Sequence, residues 1–282
     1  MLAHPIPKGK DLEIKPGEWA AEEKYDGMRL IVEVGSGKQD LFIEEGVTSW
    51  SRYGLLHPLP GHLQEAMSVL PPGLYDGELL VPGLRSYGSA RLENREELVL
   101  YLFDILRIEH TDTTPHPYWK RREYLQALML RDNKHEKLRL ANSQEVHSWD
   151  DVYSLRDQVW ARDGEGLILK RVEAPYVVGK RSKDFIKIKK LQSAVLTVIG
   201  FEPSRGLINN RGRYAMVLLV DDEGNKTTVK TKNDAWCRKF EEAGARVEGP
   251  HPYIGKRLMV EYQERTPDKS YRHIRWDRWE DE

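Results

Sequence analysis

The stretch "ELVLYLFDILRI", residues 97–108, is apolar almost without interruption. It is long enough to cross a buried sheet, and a chain that carries it must cover that sheet with other elements. Residues 17–110 around it read mostly as strands and turns, "LYDGELLVPG" at 74–83 among them. Helical spacing appears in "PGHLQEAMSVL" (60–70) and in "YWKRREYLQALML" (118–130), where Tyr124, Leu125, Leu128 and Met129 form one stripe. A third helix, "SWDDVYSLRDQVWARDG" (148–164), opens on Ser148 with Asp151 three residues later and ends near Gly164. Strand character returns with "GLILKR" (166–171) and "DFIKIKK" (184–190).

After Lys190 the texture changes. "AVLTVIGF" (194–201), "YAMVLLV" (214–220), "KTTVKT" (226–231) and "KRLMVEYQ" (256–263) are short strands, with one helix near "KNDAWCRKFEEAG" (232–244). Five or so short strands and a helix suit a small β-barrel of the oligonucleotide-binding (OB) type. The 282 residues therefore divide near Leu191–Ser193 into a larger and a smaller domain. The single cysteine, Cys237, excludes an internal disulfide framework and a Cys-rich zinc module. His57, His62, His110 and His116 have no metal-ligand spacing. No secretory h-region and no membrane-length apolar run is visible, so a cytoplasmic location is expected. Net charge is −1, and residues 191–282 hold 16 basic against 15 acidic side chains. Bulk charge thus announces no polyanion partner; any nucleic-acid face must be gathered by folding.

The chemistry gathers around "EEKYDGMRL", residues 22–30. Asp26-Gly27 between two strand-like runs reads as a hairpin turn. Lys24 and Arg29 on either side are then solvated hairpin ends, or else a nucleophile and a cation facing one anion. A lysine amine, with its pKa of about 10.4, needs nearby positive charge or desolvation before it attacks anything at neutral pH. If the target is phosphorus, the chain must also supply cations for the phosphates, carboxylates for a magnesium-type ion, and an aromatic platform for a base. Each has a candidate. "DGE" occurs at Asp76-Gly77-Glu78 and at Asp163-Gly164-Glu165, each before an apolar strand. "KIK" puts Lys187 and Lys189 on one strand face. Phe103 lies in the long apolar run. Singly, these are a turn, a solvated strand and a core residue; their order and company lift them.

The series Lys24-Tyr25-Asp26-Gly27-Met28-Arg29, Ser51-Arg52-Tyr53-Gly54, Asp76-Gly77-Glu78-Leu79, Tyr101-Leu102-Phe103-Asp104, Glu165-Gly166-Leu167-Ile168 and Lys187-Ile188-Lys189 resembles the collinear motifs of the covalent nucleotidyltransferases. Within them it is most similar to the ATP-dependent DNA ligases, in minimal two-domain form. The resemblance implies an α+β chain: an adenylyltransferase domain of antiparallel sheets and flanking helices over 1–190, then an OB-fold barrel over 191–282. It implies ATP and Mg2+ (or Mn2+) as cofactors, and nicked double-stranded DNA as the partner of a monomer. Lys24 would form the lysyl-AMP, Glu22 would meet the adenine amino group and Phe103 would stack on the base. Arg29 would sit near the ribose and the nick phosphate, and Arg52 would bind the 5′-phosphate. Glu78 and Glu165 would hold the ribose or the metal. Lys187 would contact the α-phosphate, with Lys189 close to the reacting groups. A hinge near Lys190–Ser193 would let the barrel close over ATP and then turn to DNA.

The C-terminal domain matches less fully. "VEYQERTPDKSYRH" (260–273) resembles the end of ligase barrels, and Arg275-Trp276-Asp277-Arg278 carries Arg where the last family motif has Lys. Arg275 and Arg278 are thus possible pyrophosphate contacts, or a charged end to a barrel strand; "WEDE" offers another register. The basic run "KRSKDFIKIKK" (180–190) is a DNA-backbone contact or a solvated strand. Trp236, Trp276 and Trp279 read as packing residues rather than base platforms. An RNA ligase or capping-type nucleotidyltransferase shares the lysine chemistry, and a non-catalytic OB-fold nucleic-acid-binding protein would lack it; both remain open on sequence.

Overall fold

A computed structural model describes residues 1–5, 12–35, 46–84, 92–132, 135–203, 214–245, 249–266 and 268–281. The chain divides into two compact units, Met1–Lys189 and Lys190–Glu282. Among the described residues no helix is long and apolar enough to cross a membrane.

The first unit contains strands β1 (Leu2–Pro5), β2 (Trp19–Lys24), β3 (Met28–Val34), β4 (Val47–Ser51), β5 (Gly73–Leu80), β6 (Val99–Ile108), β7 (Thr111–Asp112), β8 (Leu138–Leu140), β9 (Ser143–Val146), β10 (Gly166–Arg171) and β11 (Arg181–Lys189). One sheet has the order β1-β11-β10-β2-β9, and the other β4-β3-β5-β6-β7 with β8 joined to β6. Pairing is antiparallel apart from β1 on β11 and β8 on β6. Helices α1 (Gly61–Ser68), α2 (Tyr118–Asp132) and α3 (Trp149–Ala161) cover the sheets.

The run at 97–108 forms β6, buried on both faces as its composition demands. Leu100 and Leu102 join Leu30, Val32, Leu63, Met67 and Leu125 in the largest core. α3 starts with a capping box: Ser148 accepts from the Asp151 backbone N–H, and the Asp151 side chain accepts from the Ser148 N–H. It packs Val152 and Val159 on Leu167, Leu169, Ile186 and Ile188. The stripe on α2 includes a residue that apolar spacing does not reveal. Arg121, fully buried, forks onto both oxygens of Asp104 on β6 at 2.7 and 3.0 Å, and donates to the carbonyls of His116 and Ala174. A desolvated charge persists only with such complete pairing.

The expected hairpin at Asp26-Gly27 is not formed. β2 pairs with β9 and β10, whereas β3 pairs with β4 and β5, so residues 25–27 carry the chain from one sheet to the other. Gly27 does not take a left-handed conformation. It is needed for close approach: a Cβ there would lie 2.4 Å from the Leu79 carbonyl oxygen.

The second unit comprises β12 (Gln192–Pro203), β13 (Tyr214–Val220), β14 (Lys226–Lys230), α4 (Asp234–Ala245), β15 (Arg257–Tyr262), β16 (Glu264–Arg265), β17 (Tyr271–Arg272) and β18 (Arg275–Trp279). Five strands form an antiparallel sheet in the order β14-β13-β12-β15-β18, the OB-type arrangement anticipated from the short strands. Its core combines Val217, Leu219, Leu258 and Val260 with Phe240, Trp276 and Trp279. Trp276 and Trp279 are three apart yet both point inward, because the β15–β18 register shifts at Met259/Val260. Trp236 packs against Trp276 with ring centroids 5.3 Å apart, so all three tryptophans serve packing.

One very tight backbone contact in the first unit is at Gly166. Its φ is +149°, and a Cβ would lie 1.9 Å from the Ile188 carbonyl oxygen. Gly166→Ala must therefore move β10 or β11 and should cost about 3 kcal/mol or more in urea unfolding. Gly83→Ala, left-handed at φ +80° but facing open space, should cost about 1–2 kcal/mol.

Candidate active site

β2, β10 and β11 lie abreast, and their register assembles a polar face. Gly166 stands opposite Lys24 on one side and Lys189 on the other; Ile168 is likewise opposite Glu22 and Lys187. Since alternate residues share a face, Glu22, Lys24, Lys170, Lys187 and Lys189 project together, away from the apolar face under α3. The second sheet contributes in the same way: Arg29 on β3 is opposite Glu78 on β5, and Glu78 is opposite Tyr101 on β6. A cleft is lined by residues of both sheets, including Glu22, Lys24, Arg29, Arg52, Asp76, Glu78, Phe103, Lys170 and Lys187.

The Lys24 ammonium is mostly shielded and rests on Glu165, whose Oε2 accepts its hydrogen bond. The other oxygen of Glu165 takes the Lys189 ammonium, so one carboxylate separates two lysines. Lys187 is held below the ordinary lysine value, by burial first and then by Lys189, Arg181 and Lys24. Lys189 is also held low, by burial, with Glu165 opposing and Lys24 adding to the effect. This is a small volume of concentrated positive charge, suited to an anion with several oxygens.

Glu22 is buried and held from two directions. Lys170 approaches Oε2 at 2.6 Å, while the Tyr118 hydroxyl donates to Oε1. Arg29 lies on Asp76, with Nε to Oδ1 at 2.9 Å and Nη2 to Oδ2 at 2.5 Å. Nη2 also donates to the Tyr176 hydroxyl at 2.8 Å, and that hydroxyl donates to Asp76 at 2.7 Å. Burial and the Asp76 charge push the Tyr176 phenol up, so it remains a donor. Burial pushes the Glu78 carboxyl up to about 7; Lys24 and Arg29 pull it back, and Asp76 and Glu165 add to the rise.

Of the residues singled out from sequence, Glu22, Lys24, Arg29, Arg52, Glu78, Phe103 and Lys187 line the cleft. Glu165 adjoins it through its contact with Lys24, and Lys189 through its contact with Glu165. Phe103 is flanked by cations, with Arg29 5.7 Å and Lys170 5.0 Å from its ring centroid. Arg52 sits in the exposed turn after β4, its guanidinium 4.7 Å from the Tyr53 ring centroid. Arg275 and Arg278 lie exposed on β18 of the second unit, where Arg278 meets Asp277 at 3.3 Å. "ERT…SYR" is structural there: Arg265 and Tyr271 both bond Asp221, and Arg272 bonds Glu264. Sequence reasoning missed Lys170, Tyr118 and Tyr176, while Arg181 lay in the basic run 180–190. Lys170 shared strand parity with Ile168 and offered a faint signal; the others come from a helix start and a loop whose neighbours no periodicity reveals.

A magnesium-type ion requires hard oxygen donors. Glu78 presents a carboxyl group to the cleft, whereas both oxygens of Glu165 already hold ammonium groups. Among the described residues no three His, Cys, Asp or Glu side chains converge into a metal cage. The donors fit a cation held through one carboxylate, with phosphate oxygens and water completing its shell.

The family model for the ATP dependent DNA ligase domain matches residues 1–189. The chain is 28% identical over 248 residues to a DNA ligase of Methanothrix thermoacetophila, a match covering 81% of this chain and 43% of that protein. It is 31% identical over 218 residues to the multifunctional non-homologous end joining protein LigD of Pseudomonas aeruginosa, covering 73% of this chain and 24% of that protein. The chain thus spans less than half the length of these relatives. A solved Lig E DNA ligase, described as binding DNA with a minimal scaffold, has the same fold: TM-score 0.74 at 18% identity, over 99% of this chain and 100% of that one.

Glu78 ties the site to stability. It gains its proton near pH 4.5 as a free side chain and near 7 when folded. Between those values the folded state binds more protons, so its contribution falls as pH rises and is fully lost above about 7. Glu78→Gln should match wild type near pH 4.5 in urea unfolding and exceed it by about 1–3 kcal/mol at pH 8.

Proposed function

Because the chain belongs to the ATP-dependent DNA ligase family, we propose that it is a minimal two-domain ligase sealing 5′-phosphate/3′-hydroxyl nicks in duplex DNA with ATP. Residues 1–190 are the adenylyltransferase domain in this reading and 191–282 the OB domain. One observation carries it: the β2–β10–β11 register sets Lys24 beside Glu165, Lys187 and Lys189 on the face that also bears Glu22.

In the first step the Lys24 amine attacks the α-phosphorus of ATP. A P–N bond forms, the bond to the bridging oxygen breaks, and pyrophosphate leaves with its electron pair. Glu165 Oε2 is the acceptor at hand for the proton that Lys24 must lose. Lys187 and Lys189 meet the charge on the phosphate oxygens, and Phe103 and Glu22 hold the base. In the second step a DNA 5′-phosphate oxygen displaces Lys24 and takes the AMP, forming a 5′–5′ pyrophosphate. In the third the adjacent 3′-hydroxyl attacks the DNA phosphorus and AMP departs. A bound Mg2+ (or Mn2+) would neutralise phosphate charge throughout. Glu78 would hold that ion, and Glu165 would join it only by releasing a lysine.

Arg52 and Arg29 differ as 5′-phosphate ligands. Four of the five N–H donors of Arg29 go to Asp76, Tyr176 and the Met1 carbonyl, so it acts as a fixed charge. Arg52 in its exposed turn offers donors to the nick. Arg275 and Arg278 remain candidates for pyrophosphate contact, with Arg a less compact partner than Lys.

Incubation with α-labelled ATP and magnesium, then denaturing electrophoresis, should leave label on the wild type and none on Lys24→Ala; an unlabelled wild type overturns the reading. Sealing of a nicked DNA duplex well above a nicked RNA duplex is expected, and the reverse preference would assign an RNA ligase. A 5′-phosphate at the nick should tighten wild-type binding by about 10-fold, an advantage that Arg52→Ala should abolish in a gel-shift titration.

A further inference from the structure

Lys170 is only 3% exposed, yet it lines the cleft. Its ammonium lies 2.6 Å from Glu22 Oε2 and 3.3 Å from the Phe103 carbonyl oxygen. Three rings surround it: Tyr118 at 4.8 Å, Phe103 at 5.0 Å and Phe185 at 5.5 Å to the centroids. Tyr118, from the first turn of α2, bonds the other oxygen of Glu22 and is itself 2.8 Å from the Ser143 hydroxyl. Arg122 stands 3.9 Å from that same oxygen. The Glu22 carboxylate is therefore pinned at both ends, by β10 and by α2.

A core ion pair whose only task is stability would be replaceable by apolar side chains at little cost. This pair differs in its position. It opens on the cleft, against the ring proposed as the base platform. A carboxylate has about four acceptor positions, and Lys170 and Tyr118 occupy one on each oxygen. What remains toward the cleft is acceptor only. The exocyclic N6 amine of adenine is a donor and satisfies it, whereas O6 of guanine is an acceptor. Two acceptors facing each other in a desolvated site leave both unpaired, the situation in which a polar site rejects a near-isostere most strongly.

Resting on the ligase reading above, we infer that Lys170 is a positioning residue for base selection. With Tyr118 it aims the Glu22 carboxylate so that ATP is accepted and GTP refused. Without Lys170 the carboxylate is free to turn toward Arg122, and its orientation no longer reads the base.

The test uses the full chain and compares covalent labelling from α-labelled ATP and α-labelled GTP at concentrations well below saturation. The wild type should prefer ATP, and Lys170→Met should lower the ATP-to-GTP ratio of kcat/KM by about 10- to 100-fold. Lys170→Arg, which keeps a charged donor, should recover part of that ratio. Equal losses for both nucleotides with the ratio unchanged would mean a purely structural lysine and overturn the proposal. A wild type that takes GTP as readily as ATP overturns it too. Where Lys170→Met fails to fold or to label, Tyr118→Phe decides: a ratio lowered about 10-fold supports the aiming of Glu22, and an unchanged ratio refutes it. A wild type labelled by neither nucleotide overturns the ligase reading along with this one, whereas a labelled wild type with unmoved variants overturns this one alone.

Discussion

Lys24, Gly166 and Lys189 lie side by side on three neighbouring strands, and the middle residue has no side chain because the Ile188 carbonyl occupies its place. That close approach lets Glu165, the residue just before β10, hold a lysine from each flanking strand. The apolar residues between them make the arrangement rigid. Leu167, Leu169, Ile186 and Ile188 face α3, so a slip of one residue would drive lysines into the core and leucines into the cleft. Register is therefore enforced by burial on one face and gathers the lysines on the other.

The rest of the cleft repeats this economy. Four of the pairings in it join charge to counter-charge: Arg29 with Asp76, Glu22 with Lys170, and Lys24 and Lys189 each with Glu165. Charges this far from water persist only when paired, and pairing also orients them. The surplus is left in Lys187, whose ammonium burial and neighbouring cations disfavour. In the function proposed above, an incoming polyphosphate would supply the missing negative charge. Glu78 has the opposite problem, an acid held near neutrality by burial, and a divalent cation would relieve it.

The second unit separates packing from charge. Its aromatic residues converge on Phe240, and the cations of the 264–272 ribbon are paired within the unit, Arg265 to Asp221, Lys269 to Glu223 and Arg272 to Glu264. The residues on β18 alternate less regularly than a flat strand would, since the bulge opposite Val260 turns both tryptophans inward and leaves Arg275 and Arg278 outside.

Much of this was legible in order alone. Among the described residues, periodicity located the four α-helices within two or three residues, because an amphipathic stripe and the Ser148–Asp151 cap are local properties. It did not reveal the short 3-10 turn at Leu92–Glu97. Motif spacing picked out Lys24, Glu78, Glu165, Lys187 and Lys189, whose parity on strands follows from covalent geometry. Tertiary structure decided which strands meet. Asp26-Gly27 is an ideal hairpin dipeptide, yet the pairing energy of β2 with β10 and of β3 with β5 outweighs the turn preference and sends the strands to different sheets. The same long-range pairing brought Lys170 and Tyr118 onto Glu22, and gave Arg29 to Asp76. Local sequence sets what a side chain can donate or accept, but its partner is fixed only when distant backbone closes around it and removes the water.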